Sequence, residues 1–327
     1  MPQPIFIIGS PRSGTSILTW AIGQHPNIAV QPETNWMPII AQAAVDAYKL
    51  GTARQQFSQL SWAKLPFEDF ITRFGKAIDD ISLDCFERRV ELAIPNYRDS
   101  KGKPHERSAG PLIKSADEPK QRWVDGTPEY SFSTYALGLM FPDCKFIHIL
   151  RRPDQVVNSL AHFSNLGYAD TQNKSIANAL GVWMRHTVAA RDAANYFGQS
   201  RLLRIDHADL VADNESVMSR CFEFLGEPNC EGAAALLSKK KINSSSADDE
   251  RQTTLAELES RSDYVQATEL YETLRDSDVP VCGDPRALSE QLRKFAPESA
   301  ALGEKLKSDP LDGATKALNK LKTKLGH

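Results

Sequence analysis

The stretch Pro4–Ser16, PIFIIGSPRSGTS, decides how the rest of the chain is read. Ile5, Phe6, Ile7 and Ile8 form an apolar run of strand length that ends at Gly9. A short loop of Gly, Ser and Pro follows, and from Thr15 the residues Ile17, Leu18, Trp20, Ala21 and Ile22 fall at helical spacing. A strand, a glycine loop and a helix start in that order make an anion cradle. Successive backbone N–H groups converge there, and the helix dipole places about half a positive charge behind them. The spacing of Gly9 and Gly14 is that of a phosphate-binding loop, G-x-x-x-x-G. Thr15 occupies the place where a nucleotide triphosphatase keeps its lysine, and the positive charge of the loop is Arg12.

Working outward, the 327 residues suit one domain with insertions and leave ample chain for a core. The formal net charge of −3 gives no global field that would gather nucleic acid or an acidic membrane. Five cysteines, with no C-x-x-C pair, read as reduced thiols of an intracellular protein, not as a disulfide frame or zinc site. The first strand begins close to Met1, and no run approaches the roughly 18 apolar residues of a membrane span. A soluble, cytoplasmic protein without a stable membrane anchor is expected.

After a first helix ending between Gly23 and Pro26, Ile28–Val30 reads as a short strand, with Glu33 just past its end. Residues 37–120 read as a helical and irregular insertion. In it Phe67, Phe70, Ile71, Phe74, Ile78 and Ile81 mark one buried helix face, and 95–121 reads as a long loop. Trp123–Val124 is a strand candidate, followed by Asp125–Gly126 and by Thr127–Pro128–Glu129, a helix start with Thr127 as N-cap. KFIHIL, Lys145–Leu150, is apolar on both faces, as expected of a parallel strand covered by helices. Arg151, Arg152 and Pro153 close it and open a helix. A helix over 176–197, a strand over 201–205 and a helix over 215–225 follow, then a polar stretch 239–263 and a helical C-terminal region 264–327. Strands alternating with helices predict an α/β fold, a P-loop-type parallel sheet flanked by helices.

In an open parallel sheet, ligands bind beyond the carboxyl ends of the strands. The loop Gly9–Ser16, Glu33, the Asp125–Pro128 turn and Arg151 are therefore expected on one rim. PRSGTS resembles the 5′-phosphosulfate loop of the sulfotransferases that use 3′-phosphoadenosine 5′-phosphosulfate (PAPS). LRRPDQVVNSLAHF resembles their 3′-phosphate motif, an arginine at a strand end and a serine eight residues on, here Arg151 and Ser159. The stretch from Arg12 to Thr34, with His25–Pro26 and Glu33–Thr34, is similar to the tyrosylprotein sulfotransferases and related bacterial enzymes, and Leu203–Pro228 supports the likeness more weakly. The resemblance covers about residues 4–35 and 122–165.

The resemblance implies PAPS as co-substrate without a metal, a hydroxyl-bearing acceptor (small molecule, glycan or peptide), and no nucleic-acid partner. Arg12, Ser13, Gly14, Thr15 and Ser16 would hold the phosphosulfate, Arg151 and Ser159 the 3′-phosphate, and Glu33 would take the proton of the acceptor, with Arg12 assisting the chemistry. The residue types suit these roles. A guanidinium forks onto phosphate as lysine does not, and sulfuryl transfer, like phosphoryl transfer, depends on positioning and charge. Arg152 is expected to face solvent or a carboxylate, His25 and His162 to serve local packing, and His148 to lie in the core.

One departure stands out. Some sulfotransferases carry a lysine before Thr-Pro in the turn that here reads Asp125–Gly126–Thr127–Pro128. Either Arg12 suffices, or Lys103, Lys114 or Arg122 reaches in, or activity is low. Gly126 is also what a non-catalytic nucleotide-binding relative would show. A P-loop kinase would need the loop lysine and an acid for Mg²⁺ at the end of an apolar strand, whereas KFIHIL ends in arginines. Ser244–Ser246 resemble a serine-bearing segment that approaches the cofactor in the tyrosylprotein enzymes, or form a plain polar loop. In the tail, Leu311, Leu318, Leu321 and Leu325 share a stripe beside Lys316, Lys320, Lys322 and Lys324, which fits docking on the body, homodimer contact or an anionic membrane.

Overall fold

The chain is described by a computed structural model over residues 3–91, 120–161, 175–239, 255–287 and 290–291. Five strands form one sheet: β1 (Ile5–Ile8), β2 (Ile28–Val30), β3 (Arg122–Asp125), β4 (Lys145–Leu150) and β5 (Leu202–Asp206), in the order β2-β3-β1-β4-β5. Every neighbouring pair is parallel, with Ile5 opposite Val124 and Lys145, Ile28 opposite Arg122, and Phe146 opposite Leu202. The α/β reading of the sequence is borne out. All five carboxyl ends lie on one rim, which is the geometric condition for a shared site.

Helices α1 (Thr15–Ile22), α2 (Met37–Thr52), α3 (Gln59–Trp62), α4 (Phe67–Glu91), α5 (Thr134–Met140), α6 (Pro153–Ala161), α7 (Ile176–Phe197), α8 (His207–Ala212), α9 (Asn214–Leu225), α10 (Glu231–Lys239) and α11 (Ser262–Asp276) cover the sheet. The strands are wholly buried at Ile5, Phe6, Ile7, Ile8, Ile147 and Ile149, so only helices on the sheet's faces can keep water from them. Phe6 organises the core, with Trp123, Tyr130, Phe141 and Phe146 around its ring at centroid distances of 5.4, 5.8, 5.9 and 5.6 Å. Such aromatic contacts add about 0.5–1.5 kcal/mol each beyond area burial. A second apolar cluster joins Val156, Val157, Trp183 and Tyr271 under α6, α7 and α11.

Two expectations are corrected. Ile81 is 49% exposed, because the buried stripe of α4 runs through Ile71, Ile78, Asp79, Ser82 and Phe86. The stripe is partly polar: Asp79 accepts a hydrogen bond from Trp123 Nε1 at 2.8 Å, so hydrophobicity alone mislocates the face. Thr127 holds the N-cap position with Pro128 next, as expected, but the helix is a 3₁₀ helix, Pro128–Ser133, and the Thr127 hydroxyl donates to Asp125 instead of capping it. Helices α8 and α10 were not expected from the sequence. Of the expected 95–121 loop, residues 95–119 lie outside the described residues, Lys103 and Lys114 among them, as do His162, Ser244–Ser246 and the C-terminal tail. No helix among the described residues is long and apolar enough to cross a membrane.

Burial raises the pKa of Asp79 to about 6, despite the bond from Trp123, which lowers it. A carboxyl whose pKa rises on folding stabilises most when protonated. Its contribution is complete below the unfolded value, near 4, and is lost as pH climbs through about 6. Asp79→Asn removes that titration. The stability difference between variant and parent is expected to move in the variant's favour by on the order of 1–2 kcal/mol between pH 4 and pH 7, measured by denaturant melts at each pH.

Candidate functional site

The loop after β1 starts at Gly9, whose N–H donates to Ser131 Oγ at 3.0 Å, and turns through Ser13 N–H to Ser10 O at 3.1 Å. Gly14 has φ 104°, a conformation that side chains rarely adopt, and a Cβ there would stand 3.1 Å from both His207 Cδ2 and Ile149 Cδ1. The backbone conformation favours glycine, and a Cβ would also crowd both neighbours. Gly14 is also the N-cap of α1, and no side chain caps that helix. First-turn N–H groups left without a side-chain cap are what an anion would meet.

The structure brings the two arginines of the sequence reading into one cluster. Arg12 Nε donates to Ser159 Oγ at 3.0 Å, and Arg151 Nη1 donates to the carbonyl of Arg12 at 2.7 Å. Arg12 itself has φ 69°. Arg151 is aimed by Gln155, which accepts from its Nε at 3.1 Å, and by Trp183, whose Nε1 donates to its carbonyl at 2.9 Å. The two groups of residues that the sequence treats separately thus adjoin, with Arg12 turned toward Ser159. Arg152 is exposed and paired with Asp154 at 3.1 Å, in keeping with its expected role outside the site.

His207 was missed by sequence reasoning. It follows Asp206 at the end of β5, where Asp206 caps α8 through Ala208 N–H at 2.6 Å and accepts from Tyr271 at 2.8 Å. The imidazole is 6% exposed, and Nε2 has no hydrogen-bond partner among the described residues. Burial, and then the nearby Arg151 charge, lower its pKa to about 3. A neutral ring with an unmet Nε2 therefore lies against the loop at Gly14. The only sequence signal was its position, one residue past the fifth strand.

Glu33 lies at the other side of the loop. The Ser16 hydroxyl, in the first turn of α1, is near enough to its carboxylate to lower its pKa. Partial burial of the carboxyl, and after it the charges of Glu129 and Asp125, raise its pKa, while Ser16 lowers it. A raised carboxylate pKa makes a better proton acceptor near neutral pH. Asp125, at the end of β3, is wholly buried, and burial lifts its pKa to about 6. Its Oδ1 accepts from Thr127 N at 2.8 Å and Oγ1 at 2.6 Å, and its Oδ2 from Thr34 Oγ1 at 2.7 Å. An acid on the strand beside β1 is where a nucleotide triphosphatase would hold its metal; here both oxygens are engaged by threonines. Among the described residues no group of three His, Cys, Asp or Glu side chains could hold a metal ion.

Arg122 does not reach the site. It stands at the opposite end of β3, where it donates to Gln3 O at 2.9 Å and Leu225 O at 2.8 Å and pairs with Glu227 at 2.8 Å. Gly126 has no room for a lysine either, since a Cβ there would come within 2.0 Å of Thr19 Oγ1, which is itself bonded to Thr15 O at 2.8 Å. Gly126→Lys is expected to destabilise the fold by about 1–3 kcal/mol through overpacking against α1. A thermal melt checks this, and an unchanged melting temperature would show that the turn yields. His25 packs on Phe222 and lies 3.9 Å from Glu227, and His148 is buried in β4, both as expected.

The model of a family described as Sulfotransferase family matches residues 4–231. Among solved structures the chain is similar to the sulfotransferase domain of the olefin synthase of Synechococcus PCC 7002, at 20% identity over 90% of this chain and 95% of that one, with a TM-score of 0.44. Sulfotransferase STF1 from Mycobacterium tuberculosis H37Rv is 15% identical over 79% of this chain and 77% of that one, with a TM-score of 0.41. Mouse sulfotransferase SULT7A1 complexed with PAP is 14% identical over 88% of each chain, with a TM-score of 0.37. No curated protein matches.

Proposed function

The chain belongs to the sulfotransferase family, and on that premise we propose that it transfers a sulfuryl group from PAPS to an acceptor hydroxyl. The observation that carries the reading is the convergence of two arginines and a serine on the loop before α1, where Arg12 Nε donates to Ser159 Oγ at 3.0 Å and Arg151 Nη1 to the Arg12 carbonyl at 2.7 Å. The residues suit the donor. The uncapped start of α1 and the hydroxyls of Ser13, Thr15 and Ser16 would receive the phosphosulfate, Arg12, Arg151 and Ser159 would offer charge and hydrogen bonds to the two anionic ends of the donor, and His207 has an unmet Nε2 close to the same loop. Glu33 would take the proton of the acceptor hydroxyl as its oxygen bonds to sulfur and the bond from sulfur to the nucleotide's phosphate oxygen breaks. Arg12 would offset the charge that gathers on that leaving oxygen.

The test is turnover. Incubating the full chain with PAPS and a metabolite extract, followed by mass spectrometry, is expected to show sulfated product that depends on the protein. Gly126 favours a second reading, a nucleotide-binding protein without catalysis, because the turn that carries a lysine in some relatives is closed by Thr19. Donor binding without any sulfated product would select that reading.

A further inference from the structure

Glu33 lies in the irregular segment between β2 and α2, exposed as a residue although its carboxyl is partly desolvated, and a catalytic carboxylate there would need help to hold one position. The residues that follow it are pinned one after another. Thr34 N–H donates to Thr127 Oγ1 at 3.0 Å, and Thr34 Oγ1 donates to Asp125 Oδ2 at 2.7 Å. Tyr130 OH meets Thr34 Oγ1 in a short hydrogen bond. An ionised Asp125 only accepts, so Thr34 gives its proton to Asp125 and accepts from Tyr130. Asn35, the next residue, has φ 59°, an uncommon conformation for a side-chain-bearing residue. On the other side of Glu33, Gln31 N–H donates to Val124 O at 2.9 Å, and Gln31 Nε2 donates to Ser82 O at 2.8 Å.

We propose that Asp125 and Tyr130, acting through Thr34, are positioning residues for Glu33. Asp125 and Thr127 are wholly buried and Tyr130 is 1% exposed, so this polar chain has a fixed wall behind it. Buried charge and hydroxyls satisfied in one arrangement fix geometry more firmly than apolar packing does. An arrangement of this kind fixes the backbone that carries Glu33, and none of its hydrogen bonds involves Arg12, Arg151 or Ser159. The inference rests on the role given to Glu33 under the proposed function.

A double-mutant cycle tests it on the full chain. Thr34→Val is expected to lower kcat about ten-fold with donor affinity unchanged, and Thr34→Ser, which keeps the hydroxyl, to restore most of it. In a Glu33→Gln background Thr34→Val should cost less than about two-fold, because nothing remains to be positioned. An equal loss in both backgrounds, or a loss of donor affinity to match, would overturn the proposal and leave Thr34 a merely structural residue. Near-parental turnover of Glu33→Gln would overturn the base assignment and the positioning role together, whereas an inactive Glu33→Gln with a fully active Thr34→Val would overturn only the latter. If Thr34→Val does not fold, Tyr130→Phe removes one hydroxyl from the same chain and takes its place in the cycle.

Discussion

Glu33→Gln is expected to lower turnover by at least about 10²-fold while leaving donor affinity within a few-fold, the signature of a proton acceptor used only in the transition state. The amide keeps the size of the side chain but cannot serve as the proton acceptor. The parent enzyme carries a second readout. Burial, Glu129 and Asp125 raise the pKa of Glu33, so the base stays protonated to a higher pH than a free glutamate near 4.3. Turnover should therefore fall on acidification along a limb displaced upward from that value, and the limb should vanish in the residual activity of the variant. Steady-state kinetics from pH 5 to pH 8 provide both measurements. Near-normal turnover of the variant at neutral pH would remove Glu33 from the chemistry.

Arg151→Ala is expected to weaken nucleotides bearing a 3′-phosphate by about 2–3 kcal/mol, the scale of a charge-assisted contact. Arg151 Nη1 also holds the Arg12 carbonyl at 2.7 Å, so the loop should loosen slightly and nucleotides without that phosphate should lose a smaller amount, below about 1 kcal/mol. Titration of the variant with both classes of nucleotide separates the two effects. Equal losses would assign Arg151 to holding the loop and not to reading phosphate.

Much of the frame was legible because the signals are local. β1, its glycine loop and α1 follow within 18 residues, from Ile5 to Ile22, and KFIHIL matches β4 residue for residue. Parallel order then puts Glu33, Asp125 and Arg151 on one rim without further information. The contacts that turn the rim into a site were not legible. Arg12 meets Ser159 across 147 positions and Thr34 meets Asp125 across 91, and no periodicity encodes either pairing. His207 could be placed past a strand but not against Gly14, since that depends on β5 pairing with β4, which separates it from β1. The face of α4 was misjudged for a related reason. Asp79 is buried to bond Trp123, a polar exception that an apolar stripe hides. Gly126 read as a missing lysine; the structure makes it a point of close approach between the β3 turn and α1.

The most direct test of the proposed donor site is titration calorimetry of the full chain with 3′-phosphoadenosine 5′-phosphate, the desulfated product, with a chelator present. The cluster of Arg12, Arg151 and Ser159 beside the uncapped α1, with Asp125 engaged by threonines, predicts binding that needs no divalent cation and is tighter than that of ATP. Binding that appears only with Mg²⁺, or a preference for ATP over the 3′-phosphorylated nucleotide, would contradict it.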